Sequence, residues 1–241
     1  MMDENTRRYY LDTMGIQCWQ TAAAQQPVQQ SGVQPQQHID EVIEPEVKPV
    51  AEQGDRDVHQ PDWPTFEAAV AQCEQCALRT STHLPVAGSG NRSSDLMFVL
   101  LAPAADDALL TEQAQALFVK MLSAINIAFD DVYITSLLKC PVPVNHTISV
   151  KEVLSCRQHL KQQIRMVAPR QLVVLGDTAV RCLLQKNQSL DELRDIYNQS
   201  QQSLEDTLLF LSYSPEELLF QVEDKRKAWT DLQQLQARIG R

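Results

Sequence analysis

Residues 96–101 read Leu96-Met97-Phe98-Val99-Leu100-Leu101, six apolar side chains in direct succession. A strand buried on both faces has this unbroken apolar pattern, whereas a strand with one wet face alternates between apolar and polar residues. Strands of the first kind belong to parallel sheets that helices cover on both sides. The stretch therefore predicts an α/β domain with a parallel sheet at its centre.

Outward from this stretch, strands and helices alternate along the chain. Three further apolar segments of strand length follow, at residues 132–138, 171–175 and 207–211. Segments with helical periodicity lie before, between and after them, and these helices are expected to begin at Asp62 and near residues 114, 149, 177 and 224. This alternation predicts a three-layer αβα sandwich with a four-stranded parallel sheet.

The composition divides the chain into three parts. Residues 61–241 contain the alternating pattern and are expected to form the folded domain. Residues 20–60 are rich in Gln, Pro and acidic side chains and lack a sustained period, which predicts a disordered linker. Residues 1–19 form a short apolar and aromatic island, which is too small to bury a core and is expected to dock on a partner.

The charge balance and the apolar runs exclude several classes of protein. The chain has 21 basic and 31 acidic residues, a net charge of -10, which disfavours a protein that holds nucleic acid mainly by neutralising phosphates. The longest uncharged apolar run, Leu96 to Ala105, has ten residues, whereas a membrane span needs roughly 20. The acidic start is not followed by an apolar segment, so no signal peptide is expected. These observations predict a cytoplasmic protein.

Four of the six cysteines have spacings that favour metal binding. Cys73 and Cys76 form a CxxC pair, Cys140 follows the second predicted strand, and Cys156 lies early in the next helix. In a reducing compartment, four thiolates suit zinc or a [4Fe–4S] cluster better than disulfides. The alternative is a lone CxxC with two buried core cysteines. Among the histidines, His159 is expected to be an exposed helix residue.

A series of short motifs, in one order, resembles the iron–sulfur uracil-DNA glycosylases of family 4. The matching segments are Cys73–Leu78, Gly88–Asn91, Asp95–Val99, Asp131–Thr135, Lys139-Cys140, Cys156-Arg157, Pro169–Gly176, Leu218-Leu219 and Lys225–Leu232. The resemblance covers nearly all of the predicted domain. It implies a uracil-DNA glycosylase-like fold, with a [4Fe–4S] cluster on Cys73, Cys76, Cys140 and Cys156 and with zinc as the alternative metal.

Three positions depart from that family's pattern. Leu101 stands where the family has an acidic residue, Ser136 where it has an asparagine that reads the uracil edge, and Ser214 where it has a histidine. A serine hydroxyl cannot make the paired donor and acceptor contact of an amide. The three substitutions together predict that the domain kept the fold and lost the catalysis, so that no catalytic residue remains.

The N-terminal island resembles the psi subunit family of bacterial DNA polymerase III. The matching residues, which cover under a tenth of the chain, are Arg7, Tyr9, Leu11, Met14, Gly15, Ile16 and Trp19. The resemblance implies that these residues and Tyr10 bind the collar of the clamp loader. It also implies a contact with the chi subunit and, through chi, with single-stranded-DNA-binding protein.

The combined resemblances predict a non-catalytic replisome subunit of psi type, which bridges the clamp loader to chi and has weak or no affinity for DNA. Two alternatives stay open. The first is an active uracil-DNA glycosylase or one of altered specificity. The second is a cluster-containing module that binds DNA and senses damage or redox state.

Overall fold

The structure is a computed structural model, and it describes residues 62–79 and 84–240. The predicted docking peptide at residues 1–19 and the predicted linker at residues 20–60 lie outside these ranges. The domain boundaries therefore stay predictions. Within the described residues, no helix is both long enough and apolar enough to cross a membrane.

A six-stranded sheet forms the middle of the domain. Its strands are β1 (Ser89–Gly90), β2 (Leu96–Leu100), β3 (Tyr133–Ser136), β4 (Gln171–Leu175), β5 (Ser203–Leu204) and β6 (Thr207–Ser212), in the spatial order β1-β3-β2-β4-β6-β5. The four inner strands are parallel to one another. The two short outer strands are antiparallel to their neighbours. The predicted parallel sheet is confirmed, with two edge strands that the sequence did not predict.

Helices cover both faces of the sheet. They are α1 (Trp63–Ala71), α2 (Glu112–Ser123), α3 (Val150–Val167), α4 (Asp177–Leu184), α5 (Leu190–Gln199), α6 (Pro215–Phe220) and α7 (Lys225–Ile239). Single 3-10 turns lie at Phe129–Asp131 and Val222–Asp224.

The side chains of β2 show why the apolar run is continuous. Met97 and Val99 belong to the core cluster formed with α3, α4 and α5, whereas Leu96, Phe98 and Leu100 belong to the cluster formed with α2 and α7. Successive side chains of a strand point to opposite faces, and here both faces are covered by helices. Every residue of this strand is therefore buried. The predicted three-layer sandwich is confirmed.

A buried ion pair joins α5 and α7 to the end of β6. The carboxylate of Asp231, which is 1% exposed, accepts a hydrogen bond from the Ser212 hydroxyl at 2.7 Å and pairs with the guanidinium of Arg194. Burial raises the pKa of Asp231 to about 6, although the contacts with Ser212 and Arg194 favour its ionised form. The carboxylate therefore depends on both partners to stay charged near neutral pH.

The Asp231→Ala variant is expected to lower the free energy of unfolding by about 3 to 5 kcal/mol, the usual cost of removing one partner from a buried pair. The variant leaves the Arg194 side chain, 13% exposed, without its most buried partner. Urea unfolding curves at pH 7 measure the change. Asp195→Ala is the matched control, because this carboxylate lies 3.9 Å from Arg194 and its side chain is 73% exposed. Equal losses in the two variants would contradict the assignment.

Candidate functional site

A cavity of about 420 Å³ opens at the carboxyl ends of β2 and β4. Its wall comes from the segment that follows β2, from the turn between β4 and α4, and from the first residues of α6. Leu110, Thr111 and Val142 complete the lining. In open α/β sheets ligands bind outside the carboxyl ends of the strands, so this cavity, called the base cavity below, is the candidate site.

The segment after β2 makes one wall of the base cavity apolar. Leu100, Leu101, Ala102 and Pro103 all line it. The backbone of this segment is fixed to the segment after β3, since the amide N–H of Leu138 donates to the Leu101 carbonyl at 2.9 Å. Leu101, which stands at the family's acidic position, thus lies at the cavity.

Ser214 and Glu217 form a capping box at the start of α6. The Glu217 amide N–H donates to the Ser214 hydroxyl at 3.2 Å, and the Glu217 carboxylate accepts from the Ser214 amide N–H at 3.2 Å. The other oxygen of Glu217 accepts from the amide N–H of Asp177, the first residue of α4, at 3.0 Å. One carboxylate therefore joins the N-termini of two helices at the base cavity.

Gly176 allows this close approach. Its φ angle is +100°, and a Cβ atom there would lie 3.0 Å from an oxygen of Glu217 and 3.2 Å from Cβ of Ser214. A side chain at this position would be strained in conformation and would push against the carboxylate. The glycine is therefore part of the geometry that holds Glu217 at the cavity.

Glu216 brings a second carboxylate to the same wall. One of its oxygens accepts from the Thr111 amide N–H at 2.8 Å, and the other accepts from the Thr111 hydroxyl at 3.1 Å. Both Glu216 and Glu217 line the base cavity and are half-buried. Sequence reasoning missed both residues, although the Ser-x-x-Glu pattern of a capping box was a signal for Glu217.

Ser136 is not among the residues that line the base cavity. Its side chain is fully buried, and its hydroxyl oxygen has no hydrogen-bond partner within the described part of the chain. The structure therefore brings Leu101 and Ser214 together at the cavity and leaves Ser136 out of its lining.

A buried polar network supports the carboxyl end of β3. The ammonium of Lys139, 1% exposed, donates to the Thr135 hydroxyl and to the Ser136 carbonyl, each at 2.7 Å, and also to the Gln163 side chain. The Gln163 amide donates in turn to the Ala87 carbonyl at 2.6 Å. Burial lowers the pKa of Lys139 to about 7. The network fixes β3, α3 and the segment before β1 relative to one another.

The four cysteines of the predicted metal site come from three separate segments. Cys73 and Cys76 follow α1 and are half-buried, Cys140 follows β3, and Cys156 lies in α3. Burial, with smaller contributions from the thiols of Cys156, Cys76 and Cys73, raises the pKa of Cys140 to about 11. The four thiols are thus close enough to interact electrostatically. No three acidic, histidine or cysteine side chains within the described residues are arranged as a metal site.

The surroundings of Cys156 act on its thiol in two opposite directions. Burial raises the pKa of Cys156 to about 11, while the backbone N–H of Lys139 donates to its sulfur and lowers the pKa. Cys182 lies elsewhere, half-buried in α4. The donor set, four thiols from three segments, fits a four-thiolate metal or cluster.

His159 is buried, and the prediction of an exposed residue is wrong. Its ring packs edge-on against Phe66 with 6.2 Å between centroids, because α1 covers this face of α3. Burial lowers the pKa of His159.

The sequence profile of the family described as "Uracil DNA glycosylase superfamily" matches residues 87–233. This segment contains all six strands of the sheet and every residue that lines the base cavity. The chain belongs to the uracil-DNA glycosylase superfamily. The predicted glycosylase-like fold is confirmed.

Relatives within this superfamily include named glycosylases. The chain is 34% identical over 116 residues to a type-4 uracil-DNA glycosylase of Archaeoglobus fulgidus, an alignment that covers 46% of this chain and 58% of that protein. It is 30% identical over 128 residues to a type-4 enzyme of Pyrobaculum aerophilum, covering 52% of this chain and 65% of that protein. A type-5 uracil-DNA glycosylase of P. aerophilum is 34% identical over 119 residues, covering 42% and 52%. The chain thus spans about three fifths of the first two relatives.

These relatives correct the predictions that depended on the N-terminal resemblance. The predictions of a psi-type replisome subunit and of a non-catalytic domain are wrong, because the relatives are named as glycosylases. The predicted partners are wrong for the same reason, namely the chi subunit, the clamp-loader collar and single-stranded-DNA-binding protein. The expectation of weak or no affinity for DNA is wrong for the same reason. A match of seven residues within 7–19 carries far less information than one across residues 87–233. The eight predicted clamp-loader residues, Arg7, Tyr9, Tyr10, Leu11, Met14, Gly15, Ile16 and Trp19, lie outside the described residues.

Proposed function

We propose that this chain excises a base from DNA and that the base it prefers is not uracil, the base after which its relatives are named. The observation that carries the proposal is the base cavity, which combines an apolar wall with two carboxylates at the carboxyl ends of the parallel strands. A base within a duplex cannot be reached by an enzyme, so the target base would be extruded into this cavity. A volume of about 420 Å³ lies in the range of small-ligand pockets.

The polar groups at the cavity favour a base that presents N–H donors. Each oxygen of Glu216 and Glu217 accepts one hydrogen bond within the protein, and a carboxylate has about four acceptor positions in total. Each oxygen therefore retains an acceptor position. Uracil offers one ring N–H between two carbonyl acceptors, whereas a cytosine-type base offers an exocyclic amino group with two N–H donors. Ser136 is not part of the cavity lining and carries no amide, so the end of β3 does not supply the paired contact of an asparagine to the base edge.

The same carboxylates supply electrostatic help for breaking the glycosidic bond. Positive charge develops on the sugar as the base leaves, and a fixed carboxylate close to it lowers the barrier. Glu217 is held at both oxygens by backbone N–H groups, which keeps the carboxylate in place. The acid that the family has near Leu101 is thus replaced in function by a group from α6.

The four-cysteine cluster is part of the proposal. Cys73, Cys76, Cys140 and Cys156 would hold a [4Fe–4S] cluster, with zinc as the alternative. When bound, the cluster would supply a covalent tie between the segment after α1, the end of β3 and α3. DNA is the proposed partner, and the cytoplasmic location stays a prediction.

A matched pair of oligonucleotides tests the proposed specificity. One contains 5-hydroxycytosine and the other 5-hydroxyuracil, so the two bases differ in the amino or oxo group at C4 and in the hydrogen at N3, which only 5-hydroxyuracil carries. The amino-bearing base is expected to be released at least about tenfold faster, since a matched hydrogen-bond contact to a base edge is worth about 1–3 kcal/mol. Strand cleavage by alkali at the abasic site measures release.

Two further outcomes bear on the proposal. Faster release of 5-hydroxyuracil would show that the carboxylates do not read the base, although the chain is a glycosylase. If the chain releases no base from these two oligonucleotides or from uracil-containing DNA, the glycosylase proposal itself is contradicted.

A further inference from the structure

A second cavity, of about 570 Å³, lies between α4 and the segment that precedes α3. Residues 146–150 and Val153 line one side. The other side is lined by Thr178, Arg181, Cys182 and residues 185–187. It is called the basic groove below, because Arg181 and Lys186 lie on the same side of it.

Both cations are available to an anionic ligand. Arg181 pairs with Asp177 at 3.4 Å, but the two side chains are 47% and 40% exposed, and such surface pairs contribute little. The guanidinium has five N–H donors, so most of them remain for a ligand. The Lys186 ammonium lies 5.3 Å from the centroid of the Tyr197 ring, which steadies the side chain and leaves its charge unneutralised.

The floor of the groove is apolar, whereas its rim is charged. Ile148 and Cys182 are half-buried and Val153 is buried, so they offer a surface for a sugar or a base. A ligand that fits this arrangement combines anionic groups with an apolar body. A nucleic-acid strand has that chemistry.

The basic groove adjoins the base cavity. Thr178, in the first turn of α4, lines both of them. A strand whose base enters the base cavity can therefore continue past α4, where Arg181 lies one turn further along the same helix.

We propose that the basic groove holds the DNA strand next to the extruded nucleotide, with Arg181 and Lys186 on its phosphates. The proposal rests on the proposed function, since it takes DNA as the substrate. It explains how a chain with a net charge of -10 holds DNA, because the cations that matter are concentrated at one place beside the site.

The salt dependence of DNA binding tests this assignment. Fluorescence anisotropy with a labelled single-stranded oligonucleotide, measured with the full chain at several salt concentrations, gives the slope of log K against log salt. The double variant Arg181→Gln, Lys186→Gln is expected to reduce that slope by about 1.4, since each phosphate contact on a single strand contributes about 0.7. Asn187→Lys, which adds a charge at the groove, is expected to increase the slope by about 0.7.

Arg170→Gln is the matched control. Arg170 directly precedes β4, so it lies at the amino end of the strands, away from both cavities, and its side chain is 85% exposed. Its removal is expected to leave the slope unchanged. Equal slopes in the wild type, the double variant and Asn187→Lys would overturn the groove assignment while base release by the wild type still supported the proposed function. Failure of the wild-type protein to bind DNA and to release any base would overturn both.

Discussion

Cys140→Ser is expected to produce a protein that no longer retains iron and whose free energy of unfolding falls by at least about 4 kcal/mol, a loss of the size that follows removal of a structural metal. The wild-type chain, purified without oxygen, is expected to be brown and to contain about four irons. The effect is large because Cys140 joins β3 to thiols that come from two other segments. Iron analysis, the absorbance near 400 nm and urea unfolding measure it.

Cys182→Ser is the matched control for this experiment. Cys182 is half-buried, and its pKa is affected by burial and by Arg181 rather than by another thiol. Its replacement is expected to leave the iron content unchanged. Stoichiometric zinc without iron would contradict the cluster and favour the zinc alternative, and a wild-type protein without bound metal would contradict both.

The core of the fold could be predicted because burial on both faces of a parallel strand leaves a direct record in the sequence. Residues 171–175 were predicted as a strand, and β4 has these bounds. The edge strands β1 and β5 have two residues each and are mostly exposed, so neither an apolar run nor an alternation reveals them. The helix α5 was not predicted, although the capping box of Ser189 and Glu192 ahead of apolar residues is a sequence signal for it.

The candidate site was harder to predict because its chemistry depends on contacts between side chains from loops that are distant in the sequence. Aligning motifs placed Leu101, Ser136 and Ser214 together, but the structure leaves the buried Ser136 out of the base cavity. The motif positions also did not indicate a functional role for Glu216 or Glu217. Their approach to α2 and α4 depends on contacts across 105 and 40 residues of sequence, which no local pattern encodes.

Glu217→Gln is expected to slow base release by about 10²- to 10³-fold, the usual effect of removing one preorganised electrostatic group from an active site. Glutamine has nearly the same shape and can still accept from the Asp177 amide N–H, so the fold of the cavity is preserved. What it lacks is the negative charge that would offset the positive charge on the sugar. Single-turnover release from the preferred oligonucleotide measures the change, with binding measured separately by anisotropy.

Glu192→Gln separates this electrostatic effect from the loss of a helix cap. Glu192 occupies the same position in the capping box of α5 as Glu217 does in the capping box of α6, and it does not line the base cavity. Both variants weaken a cap of the same kind, so thermal unfolding should change similarly in the two. Only Glu217→Gln should lose base release. Equal rates in the two variants would mean that the Glu217 carboxylate caps the helix and takes no part in the chemistry.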